Sequence, residues 1–467
     1  MKNLKKGKLF FLLILASFNF TFSASDWTTL VYIQAKNNLN KFAARNLADM
    51  STIGSNKNSN ILVQWYQPNK DGIWRYKINK NKIDLVSYIP SNTDGNQTND
   101  LVDSMRWAVN QYEAKHYCLI LWNHGVGILD PNWGRLNSYG LGISSSALYS
   151  NPRMQLQDLT VSSSQDQNYI DESKIDFENK DEYSQIIEEQ EVFTQRGILF
   201  NEHSKTYMNN QELVGAMRII NHDVLKNKKL DIFGMDACLM AMIEMAYQIK
   251  DFAQYMVASQ EVELAYGWDY QAMFRLLYGG NISPEKLVKS IVESYENYYK
   301  NRIQFYTQSA VVLENISYAT DNLDQIIDNI FACKKYDKIG MTSVIKDARR
   351  QTIQFSVKNY VDLHSFYSKL LEKLRNKYKI KNNTLVMGNL QNRSEFKKSV
   401  LELSSNLEVG TKLLEGSVIA YTTGQRVFGA RGLSIYFPLT KIGKSYEITQ
   451  FAKDSKWLKF LKNYLLK

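Results

Sequence analysis

Cysteine is scarce: the 467 residues hold three, Cys118, Cys238 and Cys333. So small and odd a number excludes a disulfide framework, and leaves each thiol either a small buried hydrophobe or a group kept for its reactivity. Histidine is scarce too, with His116, His124, His203, His222 and His364. None lies in an HExxH or comparable ligand spacing, which argues against a catalytic zinc. There is no P-loop and no dinucleotide fingerprint, and no loop with Asp or Asn at alternating positions closed by Glu, so neither nucleotide chemistry nor an EF-hand is indicated. Beyond the first residues no apolar run has the length of a membrane span. The formal charge is +10, but four of the lysines (Lys2, Lys5, Lys6, Lys8) stand in the first ten residues. No stripe of Lys or Arg with interleaved aromatics follows, so a nucleic-acid partner is not expected.

What is present begins with that basic start, then an apolar run over 9–15 and small residues over 23–25. This is the order of a cleaved secretory signal. The expectation is a signal peptide over 1–24, a secreted or periplasmic protein without four of its positive charges, and no stable membrane span, an uncleaved anchor being the alternative. The remainder has an ordinary globular composition, 44% hydrophobic and 22% charged.

Buried-strand runs at 28–35, 60–67, 117–122, 230–235 and 255–259 alternate with helical periodicity at 40–50, 100–112, 210–222 and 239–250. Such alternation predicts an α/β fold with a mostly parallel central sheet flanked by helices. A hairpin over 72–89, turning near 79–81, reads as an edge addition. The expected division is a catalytic domain over 26–282 and a mainly helical C-terminal subdomain over 283–467 with strands at 417–421 and 432–437. Residues 151–196 break the pattern, with eleven acidic side chains between Asp158 and Glu191, and read as a solvated insertion.

Two strands run into chemistry-bearing residues. The strand 117–122 leads into Asn123-His124-Gly125, and the strand 230–235 into Asp236-Ala237-Cys238. If they are neighbours in one parallel sheet, both side chains stand at its carboxyl edge, where open α/β sheets bind ligands. A thiol beside an imidazole is the minimum for nucleophilic acyl chemistry, with His124 as general base or thiolate partner. Cys238 is expected near a helix N-terminus that favours thiolate. Gly125 and Cys238 offer backbone N–H groups for an oxyanion hole, and a side chain at Gly125 is expected to crowd the substrate carbonyl. Cys118, inside an apolar strand, and Cys333, on a helix, read as core.

The segments LILWNHGVG, LDIFGMDACLMAMIEMAYQI, VASQEVELAYGWDY and RGLSIYFP resemble the clostripain family of cysteine peptidases, over roughly 27–438. The resemblance implies a caspase-like three-layer sandwich and a dyad without an obligatory third acid, His124 and Cys238. It implies polypeptide substrates cut after Arg or Lys in an acidic pocket, to which Asp236 corresponds. A carboxylate at the base of a cleft suits a guanidinium, and Asp236 also suits a helix N-cap. Glu261, Glu263 and Asp269 lie in the stretch resembling the family's substrate-side loop and read equally well as surface. Self-cleavage between histidine and cysteine, also implied, has Arg135, Arg153, Lys174, Lys180 and Arg196 as its basic residues. Calcium is implied only in that some relatives depend on it; the residues themselves indicate no cofactor. The alternatives are a catalytically silent exported binding module on the same fold and a transamidase using the same dyad.

Overall fold

The structure, a computed structural model, describes residues 24–129, 197–381, 384–385 and 394–465. The expected signal peptide, up to residue 23, and Arg135, Arg153, Lys174, Lys180 and Arg196 lie outside the described residues.

The strands in chain order are β1 (Ser25–Gln34), β2 (Ser59–Tyr66), β3 (Ile73–Asn79), β4 (Lys82–Ile89), β5 (Ala114–Trp122), β6 (Ile198–Asn201), β7 (Thr206–Met208), β8 (Leu230–Asp236), β9 (Ala253–Ala258), β10 (Thr307–Val312), β11 (Tyr360–Asp362), β12 (Ile380–Lys381), β13 (Thr384–Leu385), β14 (Val418–Thr423) and β15 (Ser434–Tyr436). Nine of them form one sheet in the order β14-β10-β9-β8-β5-β1-β2-β3-β4. The five central strands, β9 to β2 in that order, pair in parallel. The hairpin β3–β4 closes one edge antiparallel, turning at Asn81 with φ 54°, and β10 with β14 closes the other.

Buried on both faces, the central strands are apolar almost throughout, and their alternate residues feed two cores. Trp27, Val31 and Ile33 of β1 join Ile120 and Trp122 of β5 on one side, under the helices Asn40–Ser51, Tyr270–Tyr278 and Pro284–Tyr299. Leu30 and Tyr32 join Leu119 and Leu121 on the other, under Thr98–Gln111, Asn210–Ile219 and Ile243–Ile249. The helices start where their caps dictate. Asn209 accepts the Gln211 and Glu212 N–H groups while Glu212 reaches back, and Ser283 caps a helix whose first residue is Pro284. This is the α/β sandwich that the sequence predicts.

Strands from past residue 283 complete the same sheet, and β10 lies where helical segments were expected. The helices Ile316–Tyr336, Leu363–Tyr378 and Ser394–Ser417 add to the second core. β15 stays outside the large sheet, pairs with β11, and bridges to Met242 through Ser434. Among the described residues no helix is long and apolar enough to cross a membrane.

Candidate active site

β5 and β8 are adjacent and parallel, with Trp122 opposite Asp236. The two chains therefore leave the sheet together. Asn123 N–H donates to the Asp236 carbonyl at 3.4 Å, and the next residues are His124 on one strand and Ala237-Cys238 on the other. Gly125 lies flat against the cysteine turn. A Cβ there would meet the Cys238 carbonyl oxygen at 2.7 Å and the Ala237 Cβ at 2.9 Å. This gives a reason for a glycine at 125 beside the expected one: a side chain would strike the backbone of Cys238 itself.

The helix that follows begins at Ile243, not at Leu239. Leu239 takes a left-handed φ of 64°, and its N–H donates to the Glu261 carbonyl, which breaks the helical run and leaves Cys238 in a turn. The expected helix N-terminus at the thiol is thus absent. Burial pushes the Cys238 thiol up to about 11, against the Glu263 N–H that donates to Sγ at 3.2 Å and with the carboxylates of Glu261 and Asp236 adding to the rise. Burial also pushes His124 down to about 4, although its side chain keeps 23% exposure. At neutral pH the pair is thiol and neutral imidazole. Cys238 is half-buried, whereas Cys118 and Cys333 are fully buried, and burial raises both thiols.

Of the four acidic residues predicted near the substrate, the structure brings Asp236 and Glu263 together beside Cys238. Asp236 accepts the Tyr270 hydroxyl at 2.8 Å and the Trp268 N–H at 3.2 Å, and Gly267, φ 67°, passes so close that a Cβ would lie 2.6 Å from Oδ2. Asp236 is no helix cap, since the following helix starts seven residues on. Burial and the repulsion of Asp236 hold the Glu263 carboxyl well up, and burial raises Asp236 as well. Two carboxyls this close in an apolar surround share a proton. Glu261 and Asp269 are directed elsewhere. The Glu261 carboxylate accepts the Ser356 and Val262 N–H groups, and Asp269 caps the helix Tyr270–Tyr278 through the Ala272 N–H. Among the described residues, no group of three or more His, Cys, Asp and Glu side chains is placed to hold a metal ion.

Asn38 and Glu202 carry no signal in the sequence, yet they frame the histidine. His124 Nε2 lies 2.8 Å from Asn38 Oδ1 and 4.0 Å from Glu202 Oε1.

A mostly parallel sheet with a half-buried thiol and an imidazole at one carboxyl edge defines the class: a cysteine-type peptidase of caspase-like architecture. The chain belongs to the clostripain family, whose sequence model matches residues 31–141 and 182–464. Among solved structures it resembles an inactive zymogen C11 protease from Parabacteroides distasonis, at 16% identity and TM-score 0.56, covering 93% of this chain and 99% of that one. It also resembles a secreted C11 cysteine protease from Bacteroides thetaiotaomicron in complex with an irreversible peptide inhibitor, at 16% identity, TM-score 0.55 and the same coverage. A further structure, of the secreted C11 protease "iotapain" from the same organism, gives 13% identity and TM-score 0.57 over 92% of this chain and 99% of that one. At these identities the likeness concerns the fold. None of the curated proteins matches the chain.

Proposed function

We propose that the protein is an exported endopeptidase that cuts polypeptides after Arg or Lys, with Cys238 as nucleophile and His124 as its base. The observation that carries the reading is the register of β5 and β8, with Gly125 packed on the cysteine turn. With both partners neutral at rest, the proton leaves Sγ for the imidazole as sulfur attacks the peptide carbonyl and the C–S bond forms. The Gly125 and Cys238 N–H groups face the developing oxyanion, each such donor being worth about 3 kcal/mol. The imidazolium then protonates the amine as the C–N bond breaks. Water attacks the thioester, giving its proton to His124, and the acid departs as the C–S bond breaks and the thiol is restored.

The Asp236–Glu263 pair supports the basic preference. A guanidinium or ammonium arriving beside it displaces the shared proton and leaves two carboxylates facing one cation, a desolvated and specific contact. The basic and apolar start of the sequence supports export, as does the relative described as secreted. Self-processing between His124 and Cys238 is supported by the relative described as an inactive zymogen. The test is a panel of fluorogenic peptides with Arg, Lys, Asp or Asn before the scissile bond, alongside gel analysis of the full chain. Turnover after Arg or Lys and a cut chain are expected for the wild type, and neither for Cys238→Ala. Turnover that survives in Cys238→Ala refutes the nucleophile, an unchanged cut in that variant refutes self-processing, and cleavage confined to Asp or Asn peptides refutes the pocket.

A further inference from the structure

Resting on the reading of His124 as the base, we infer that Asn38 and Glu202 form a polar clamp that positions His124 for the reaction. Asn38 Oδ1 can only accept, so at 2.8 Å it receives the proton of His124 Nε2. That contact fixes the tautomer: Nε2 carries the hydrogen, and Nδ1 keeps the lone pair that takes the thiol proton. Glu202 reaches the same end of the ring, Oε1 standing 4.0 Å from Nε2 while Oε2 accepts the Asn38 N–H at 3.3 Å.

Both residues are held from several sides. The Glu202 N–H donates to the Lys36 carbonyl, and Asn37 and Asn123 both donate through Nδ2 to the Phe200 carbonyl. The loop after β1, the turn carrying His124 and the segment leaving β6 are thus tied at one point. The clamp answers a need set by burial. An imidazole whose surroundings disfavour charge must become imidazolium when it accepts the thiol proton, and a carbonyl dipole with a carboxylate behind it offsets that cost. Among the described residues, Glu202 brings a charged group to this end of the ring, and Lys205 acts on Glu202.

The experiment compares pH–rate profiles of Asn38→Ala, Asn38→Asp and Glu202→Gln with the wild type, using one turned-over peptide. Asn38→Ala is expected to lower kcat about 100-fold with KM within about two-fold, since a loosened base misplaces the proton transfer. Asn38→Asp, close to isosteric, sets a full charge against Nε2 and is expected to move the acid limb up by about one pH unit. Glu202→Gln is expected to leave the acid limb in place, because burial raises the Glu202 carboxyl and it is already protonated where His124 titrates, and to lower kcat at neutral pH, where the carboxylate backs the imidazolium. An acid limb unmoved in Asn38→Asp overturns the clamp, whatever kcat does, because a merely structural role changes activity without changing the base's titration. Cys238→Ala read on the same peptide keeps the two failures apart: turnover surviving there removes the dyad, whereas a silent Cys238→Ala with the Asn38→Asp limb unmoved removes the clamp alone.

Discussion

Replacing Gly125 by Ala perturbs the site without touching a titrating group. Gly125 is not among the residues of positive φ, so alanine meets no backbone strain, and the effect is steric. The added methyl would lie 2.7 Å from the Cys238 carbonyl oxygen, 2.9 Å from the Ala237 Cβ and 3.0 Å from the Met240 Cγ, where ordinary contact begins near 3.4 Å. Met240 can swing aside; the backbone oxygen and the Ala237 Cβ cannot. The two turns must therefore part by about half an ångström, with an overpacking cost of about 1–3 kcal/mol. Reactive groups need placement within about 0.5 Å, and a 1 Å error costs about 100-fold in rate, so kcat is expected to fall about 10- to 100-fold. Initial rates on an Arg peptide and a thermal melt measure both effects. A variant within two-fold of wild-type kcat and with an unchanged melting temperature would falsify the placement of catalysis at this seam.

Two further outcomes follow from buried carboxyls. Asp236→Asn is expected to lower kcat/KM for Arg and Lys peptides by about 2–5 kcal/mol of lost binding, about 30-fold or more, because a buried cation loses its partner. An unchanged ratio between Arg peptides and uncharged ones, measured on both proteins, removes Asp236 from the pocket. Glu244 is fully buried, and burial pushes it up to about 7 while it accepts the Tyr436 N–H at 2.8 Å and the Tyr446 hydroxyl at 3.2 Å. The folded state keeps this proton where the unfolded chain gives it up, so its contribution is complete below pH 4.5 and is lost as pH rises through 7, about 3 kcal/mol in all. His124 runs the other way, costing stability as pH falls from 6.5 towards 4. The difference in unfolding free energy between wild type and Glu244→Gln at each pH cancels the histidine. That difference is expected to shift in favour of the variant from pH 4.5 to 7, and a flat difference counts against a protonated Glu244.

Much of this architecture was legible because it depends on local pattern. The apolar runs of β1, β2, β5, β8 and β9 cannot face water on either side, and the strand endings at His124 and Cys238 point to one sheet edge once the strands are neighbours. What escaped depends on tertiary partners. β10 reads as polar (TQSAVV), yet the Thr307 hydroxyl bonds Ser259 and the Ser309 hydroxyl bonds the Gly432 carbonyl, so the hydroxyls are satisfied inside the fold. The run LMAMIEMAYQI has helical periodicity from its first residue, but the Glu261 carbonyl draws Leu239 into a left-handed turn. Asn38 and Glu202 lie 164 positions apart, and no spacing rule joins two polar loop residues over that distance.

The strand order also bears on what a broken chain would be. β5, which leads into the turn of His124, comes before residues 130–196, and β8, which leads into the turn of Cys238, comes after them. A protein opened anywhere in that stretch is two polypeptides, each bringing one residue of the proposed dyad, so that on that reading neither would work alone. Their seam runs through the middle of the sheet, along β5 and β8, with the Gly125–Ile198 bridge and the Phe200 carbonyl continuing it beyond the edge. Such a pair migrates as one particle under native conditions and as two bands when denatured. Activity then belongs to the complementation of two halves, and survives for as long as they stay docked.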